Sequence, residues 1–301
     1  MKRYYSLNEF YRNKYGKKVY KLSINGGMTC PNRDGKINTG GCIFCSSGGS
    51  GEFASSPLLS ITQQLEIAKS KIRSKTKDNA YIAYFQPYSN TYGNIEYLEK
   101  IYSEAIYNNE IVGLSIATRP DCLGNNILNL LDKMNKVKPV CVELGLQTIH
   151  KSTSDYIRRG YELEVYDEAV KNLHNIGIEV VTHLIIGLPN ESDEMIYESV
   201  KYVGKATDGI KLQLLHVIKG TDLAEDFYNK KFEVLSLEHY TDIICNSIEL
   251  LPENVVVHRI TGDGDKRTLI APLWSGDKKK TLNYINGEMN RRNIIQGSKL
   301  K

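Results

Sequence analysis

The sequence contains no long hydrophobic run. No apolar stretch reaches the roughly 18 residues that a bilayer-spanning helix needs, so a membrane partner is not expected. Residues 1–10 are polar and aromatic, without the apolar segment of a secretory signal, which predicts a cytoplasmic, reducing location. Internal repeats, low-complexity segments and proline-rich linkers are also missing. With 8 prolines in 301 residues, nothing divides the chain, and one main domain is expected. A strong excess of one charge is missing too. Lys and Arg number 39 against 35 Asp and Glu, a net charge of +4, which permits a nucleic-acid partner without requiring one. The imbalance is local. Seven basic residues (Lys278, Lys279, Lys280, Arg291, Arg292, Lys299 and Lys301) face one acid, Glu288, over residues 278–301. This segment reads equally as a solvated tail or as a phosphate-contacting patch.

What is present is an α/β pattern. Hydrophobic residues make up 41% and charged residues 25%, enough for a substantial core and incompatible with wholesale disorder. Short apolar and β-branched runs at 19–24, 80–85, 111–116, 140–146, 179–186 and 209–214 predict strands. Several are apolar on consecutive positions, as in a parallel sheet covered on both faces. Apolar residues at helical spacing predict helices at 62–74, 95–107, 126–134, 165–176, 194–203 and 237–251. Six strand-plus-helix units in strict alternation imply a parallel sheet with right-handed crossovers. Periodicity does not decide between an open sheet and a barrel. The alternation fades after about residue 251. The expected divisions are therefore an N-terminal helical extension at 1–18, a core at 19–251, and a C-terminal extension at 252–301 serving as lid and basic tail.

The chemistry concentrates in the loop after the first strand. Cys30 is followed by eleven residues, then Cys42, two more residues, and Cys45, among glycines that let the backbone wrap closely round a bound group. A structural zinc site wants four protein ligands, but the first histidine is His150 and the next cysteine is Cys122. A disulfide leaves an odd thiol, and a redox Cys-x-x-Cys pair leaves Cys30 idle. Three thiolates without a local fourth ligand suit a 4Fe–4S cluster with one open iron, with structural zinc as the remaining alternative. Cys122, Cys141 and Cys245 lie in strand or helix patterns and read as buried small apolar residues.

At these residues the sequence resembles the radical S-adenosylmethionine superfamily. The likeness is to the branch with long first cysteine spacing, which includes the elongator catalytic subunit and the small YhcC-like family. Phe44 stands before the last cysteine, as an aromatic residue usually does there. Further similar blocks run along nearly the whole chain, among them Phe85-Gln86-Pro87-Tyr88, Ala117-Thr118-Arg119-Pro120-Asp121, Glu143-Leu144-Gly145-Leu146-Gln147, Ile186-Gly187-Leu188-Pro189 and His258-Arg259-Ile260-Thr261-Gly262-Asp263. The resemblance implies a partial (β/α)6 barrel. It also implies that Cys30, Cys42 and Cys45 hold a 4Fe–4S cluster whose open iron is chelated by S-adenosylmethionine. One-electron reduction by a flavodoxin- or ferredoxin-type donor would then release a 5′-deoxyadenosyl radical that takes a hydrogen atom from substrate.

Each block falls at or just past a predicted strand end, where parallel barrels gather their active residues. Gln86, Thr118, Arg119, Asp121, Glu143, Gln147 and Gly187 are accordingly the candidate cofactor-binding residues. Gln86 stands where the superfamily often has a Gly-Gly-Glu motif, which is replaced here, and Asn190 stands where a glycine is common. The plainer readings are a helix cap with a surface ion pair for Thr118, Arg119 and Asp121, and an ordinary turn at Gly187. Glu143, in an apolar run, needs a partner when buried, and a ribose hydroxyl or the methionyl ammonium would serve. On the substrate side, His216, Lys219, His258, Arg259 and Asp263 are the candidate catalytic residues, with Asp265 and Trp274 nearby and Tyr88, Asn90 and Tyr92 over the barrel mouth. Trp274 reads slightly better as core than as a base-stacking residue. The resemblance points to tRNA wobble-uridine side-chain modification, with tRNA as the partner. The alternatives are the same radical chemistry on a small metabolite or peptide, and a non-catalytic, metal-stabilised RNA-binding module.

Overall fold

A computed structural model of the chain describes residues 2–46, 48–49, 54–75, 80–262 and 264–300. Asp263 and Lys301 lie outside the described residues. Helix α1 (Leu7–Tyr15) leads into strand β1 (Tyr20–Ile24). Then come α2 (Ile61–Ile72), β2 (Tyr81–Phe85), α3 (Ile95–Ile106), β3 (Ile111–Thr118), α4 (Asn125–Asn135) and β4 (Val140–Gln147). The second half continues with α5 (Lys151–Tyr156), α6 (Leu163–Asn175), β5 (Glu179–Ile186), α7 (Asp193–Gly204) and β6 (Gly209–Leu214). The chain ends with β7 (Val217–Ile218), α8 (Asp222–Tyr228), α9 (Leu237–Glu249), β8 (Val256–Arg259), β9 (Leu269–Ala271) and α10 (Lys278–Arg291).

The helices begin and end where local chemistry dictates. Ser60 and Gln63 form a reciprocal capping box on α2. Asn94 accepts from the amides of Glu96 and Tyr97 at the start of α3, whose Leu98, Ile101, Tyr102 and Ala105 then recur at helical spacing and are buried. Gly177, at φ +69°, turns the chain out of α6.

One seven-stranded sheet runs in the order β1-β2-β3-β4-β5-β6-β8, every pair parallel. Each crossover returns beside the strand it left, so the order never reverses. Right-handed crossovers without a reversal put all the covering helices on one face and leave the other concave. The result is a curled half-barrel, which settles what periodicity alone did not. Its seventh strand differs from expectation. The sequence alternation fades after residue 251, yet β8 joins β6 in the same sheet after helix α9. The signal was weak because β8 has only four residues, two of them the polar His258 and Arg259.

The main core lies between the outer face of the sheet and the helices, with Leu22, Phe85, Ile116, Leu144, Leu184 and Leu212 fully or nearly fully buried. A smaller cluster of Tyr11, Val19, Ala80 and Ile82 packs α1 against the starts of β1 and β2. Another joins Ile43 to Ile157, Ile185, Leu188, Leu215 and Leu223 near the strand ends. The basic C-terminal segment is no loose tail. Lys278–Arg291 is helix α10, packed on α9, and Arg291, Arg292 and Lys299 pair with Glu288, Asp242 and Glu249.

Two glycine substitutions test this packing. A Cβ on Gly113 in β3 would stand 2.6 Å from the backbone oxygen of Pro139, whereas one on Gly287 in α10 would meet nothing within 4 Å. Gly113→Ala should therefore lower stability by about 1–3 kcal/mol. Gly287→Ala should raise it by about 0.5–1 kcal/mol. Urea midpoints of the two variants against the parent chain check both signs.

Candidate active site

Alternation along the strands decides what faces inward. On β1, Leu22 and Ile24 turn to the main core and leave Lys21 and Ser23 on the concave side. On β6, Ile210, Leu212 and Leu214 turn outward and leave Lys211 and Gln213. Tyr84 on β2, Ser115 on β3, Glu143 on β4 and His183 on β5 fall on the same inner face. They converge on one carboxylate. Glu143, with no solvent exposure, accepts at Oε1 from Lys21 Nζ (2.5 Å) and Ser115 Oγ (2.6 Å). At Oε2 it accepts from Tyr84 OH (3.0 Å), His183 Nε2 (2.7 Å) and Lys211 Nζ. The partner that burial demands for Glu143 is thus supplied by the chain itself. A ribose hydroxyl or the methionyl ammonium, either of which would have served, is not required for that role.

The network fixes protonation states. Burial alone would raise the pKa of Glu143, but Lys21, Lys211 and the His183 hydrogen bond together hold it well below the usual carboxylate range. Burial draws the pKa of Lys211 down to about 8; Glu143 opposes this, and Lys21 and Arg259 add to it. Burial and then the Lys211 charge push His183 down to about 4, against the pull of Glu143. His183 is therefore neutral, and because a carboxylate only accepts, its Nε2 carries the proton.

Above this floor opens a cavity of about 300 Å³ at the C-terminal ends of the strands. Cys30, Cys42 and Cys45 line it together with Phe44, as do Gln86, Thr118, Arg119, Glu143, Gln147, His216 and Arg259 from the expected set. The loop that carries the cysteines is held at several points. Asn32 Nδ2 donates to the Arg158 carbonyl (2.6 Å) and to Cys42 Sγ (3.4 Å). Arg33 donates to the carbonyls of Cys45 (2.7 Å) and Ser46 (2.6 Å) and lies over the Tyr88 ring. Ile43, only 5% exposed between two of the cysteines, is seated in its own apolar cluster. That burial contributes about 1.5–3 kcal/mol toward keeping the loop in place.

Other expected residues lie elsewhere. Asp121 does not line the cavity but grips Arg119 with two bonds of 2.8 and 2.7 Å, the two side chains being 10% (Arg119) and 18% (Asp121) exposed. Gly187 is also outside. Its φ of +91° and the Leu235 side chain, 2.9 Å from where a Cβ would stand, explain the glycine by turn and packing. Lys219 is exposed on the ribbon of β7 with β9, where its amide donates to the Thr268 carbonyl. His258 sits at a bulge of β8, with its ring against Gly209, deeper than the cavity floor. Asn90 is buried and ties the Pro87 and Ala117 carbonyls together rather than facing the mouth. Trp274 packs on Tyr240 and donates to the Leu235 carbonyl, as a core residue does. Asn190 takes φ +67°, which asparagine tolerates where glycine would be usual.

Sequence reasoning missed Lys21, Tyr84, Ser115, His183 and Lys211 as one unit, and Arg33 and Arg159 as lining residues. The available signal was one or two polar residues at inner positions of otherwise largely apolar strands.

The comparisons decide the family. The description of the Radical SAM superfamily matches residues 30–203, and that of the Radical_SAM C-terminal domain matches residues 207–291. The chain belongs to the radical SAM superfamily. It is 41% identical to the uncharacterized protein YtqA of Bacillus subtilis over 297 residues, covering 98% of this chain and 92% of that one. It is 35% identical to protein YhcC of Escherichia coli K12 over 289 residues, covering 95% and 92%. A tRNA uridine(34) acetyltransferase of Methanocaldococcus jannaschii is 29% identical over 196 residues, 64% of this chain and 35% of that protein. Among solved structures, an archaeal Elp3 of Methanocaldococcus infernus shares the fold, with a TM-score of 0.71 at 19% identity over 92% of this chain and 64% of that one.

The superfamily uses a 4Fe–4S cluster and S-adenosylmethionine, and the residues present fit both. Among the described residues no three His, Cys, Asp or Glu side chains are placed to hold a single metal ion, an arrangement that a cluster with one iron per thiolate does not need. Burial, then the neighbouring Cys45, pushes the Cys42 thiol up to about 12; a thiol that coordinates a cation is deprotonated by it. At the end of β4, Gln147 Oε1 is buried without a hydrogen-bond partner beside the cavity, an acceptor open to a bound molecule.

Two outcomes follow. Replacing Cys30, Cys42 and Cys45 together by Ala should reduce iron from about four per chain to none in air-free protein, while the far-ultraviolet circular dichroism stays unchanged. The second concerns pH. Above pH 6.5 His183 is neutral in both folded and unfolded chains; as pH falls toward 4, only the unfolded chain gains the proton, so stability drops. The slope from this residue approaches about 1.4 kcal/mol per pH unit. His183→Gln should flatten the fall in urea midpoint between pH 6.5 and 5.

Proposed function

We propose that this radical SAM enzyme modifies the C5 side chain of a wobble uridine in tRNA. When bound, the cluster and S-adenosylmethionine supply a carbon radical that abstracts hydrogen. The chain's own residues hold, orient and shield. Cys30, Cys42 and Cys45 are the proposed cluster ligands. Gln147, Thr118, Arg119 and Gln86 are proposed to orient the cofactor, and His216 and Arg259 face the substrate from the other wall.

The observation that carries the reading is the shape of the site together with its relatives. A cavity of about 300 Å³ admits a base and its side chain but not a folded macromolecule. The likeness over 196 residues to a protein named for uridine 34 of tRNA supports this substrate class. Exposed Lys36, Lys219 and Lys266 stand on segments that border the cavity, where phosphates of a bound RNA would pass. Lys278, Lys279 and Lys280 open α10 and add to the positive surface. The electron is proposed to come from a flavodoxin- or ferredoxin-type donor.

Nucleoside mass spectrometry of tRNA from a strain lacking the gene tests this directly. The expected result is loss of one modified wobble uridine with accumulation of a precursor that differs at C5. An unchanged wobble-uridine profile would sink the proposal.

A further inference from the structure

Three glutamines, Gln86, Gln147 and Gln213, line the cavity. The first two are among the residues proposed to orient the cofactor; Gln213 is not. It points inward from β6, two positions beyond Lys211 and so about 6.6 Å nearer the mouth along the strand. Its register partner on β5 is Ile185, and Leu215 follows on the same side of the cavity. Both are buried in one apolar cluster. The polar side chains one layer below, Tyr84, His183 and Lys211, all bond to Glu143. The Gln213 carboxamide differs from them. Among the described residues it makes no hydrogen bond within the chain. An amide in an apolar wall costs about 1–3 kcal/mol when a closed site leaves it unmet, and an aliphatic side chain would fill the position without that cost. Such a lone polar group in an apolar wall is the pattern of a contact that orients a bound molecule.

We propose that Gln213 selects uracil by gripping the N3–C2 edge of its ring. A carboxamide presents an acceptor and a donor side by side. A carboxylate or a phosphate offers only acceptors and an ammonium only donors, so each meets half of it. The uracil edge meets both halves: N3–H donates to Oε1, and O2 accepts from Nε2–H. At the same edge cytosine carries two acceptors, and only one bond forms. Ile185 and Leu215 supply apolar surface for the ring beside the amide. Holding this edge at β6 turns the C5–C6 edge the other way, toward the cysteine loop, which enters from β1 at the far side of the strand order. The carbon whose side chain reacts then faces the cofactor. The choice of uracil rests on the tRNA reading; the edge follows from the amide. The adenine of S-adenosylmethionine also pairs an acceptor with a donor, at N1 and N6, and the test separates the two.

The test uses the air-free, cluster-loaded full-length protein saturated with S-adenosylmethionine, and reads its melting temperature against uridine, 3-methyluridine and cytidine. Uridine should give a saturable rise. Its half-point should lie at least tenfold below those of cytidine and of 3-methyluridine, whose N3 carries no hydrogen. Gln213→Met keeps the reach of the side chain and removes the amide, so it should bring the uridine half-point up to theirs. The rise induced by S-adenosylmethionine alone should be the same in this variant as in the parent. No response to uridine, an equal response to either analogue, or an unaltered uridine response in Gln213→Met would each overturn the proposal. A weakened S-adenosylmethionine rise in the variant would overturn it too, by assigning the amide to the adenine. The nucleoside comparison needs only the parent chain, so it stays decisive if the variant fails to fold. No tRNA enters the measurement. Failure here leaves the tRNA reading standing, and an unchanged wobble-uridine profile leaves the role of Gln213 standing.

Discussion

The buried carboxylate of Glu143, clamped between Lys21 and Lys211, constrains the whole architecture. Removing three charges from water costs several kcal/mol per ion, and only close contact with opposite charge and full hydrogen bonding recover it. Here all five donors come from different strands, β1, β2, β3, β5 and β6, onto one acceptor on β4. In a flat sheet, neighbouring strands stand about 4.8 Å apart, which would separate β1 from β6 by about 24 Å. Two lysines from those strands meet at one carboxylate only if the sheet is curled. The ion cluster and the curvature therefore require each other, and replacing Glu143 leaves both lysines without their carboxylate.

That constraint also places the chemistry. A curled sheet aims its strand ends at one volume, and the loops that leave those ends supply the groups around it. The cysteine loop enters from β1, Arg119 from beyond β3, Gln147 from the end of β4, and His216 from beyond β6. The floor is rigid because its donors and acceptors are matched. The open side of the half-barrel lies between β1 and β8, where among the described residues no strand closes the ring. α1 packs under the first two strands at the other end, with Tyr11 buried there, so access is from the loop end.

How much of this could be read beforehand follows from physical range. The six strand positions and most helices were legible because apolar periodicity is a local property. The cysteine trio was legible because three thiols lie within sixteen residues of each other. The curl was not, since a strand buried on both faces looks the same in a flat sheet and in a barrel. The Glu143 network was not, because Lys21, Ser115, His183 and Lys211 are each one polar residue in its own strand and meaningful only together. Lys219 and His258 misled for the opposite reason. Each is a reactive residue next to a strand end, but a two-stranded ribbon carries Lys219 outward and a bulge sinks His258 beneath the floor. The C-terminal segment hid its helix behind three lysines at the N-terminal turn, where the helix dipole disfavours positive charge.

The interval between Cys30 and Cys42 is long, yet the loop holds its three cysteines in fixed places. Eleven residues of slack would let the cysteines wander and would cost ordering entropy on assembly. The interval is not slack. The Ile37 amide donates to the Pro31 carbonyl (2.8 Å) and the Gly41 amide to the Asn32 carbonyl (2.7 Å), folding the segment onto itself. The left-handed turn at Gly41, at φ +74°, leaves room for the Arg33 side chain, which a Cβ there would meet at 2.9 Å. Arg33 in turn holds the carbonyls of Cys45 and Ser46, so the first and last parts of the loop are tied through one guanidinium. A spacer built this way behaves as a small structural unit, and its length sets where the first thiolate stands relative to the other two rather than how freely it moves.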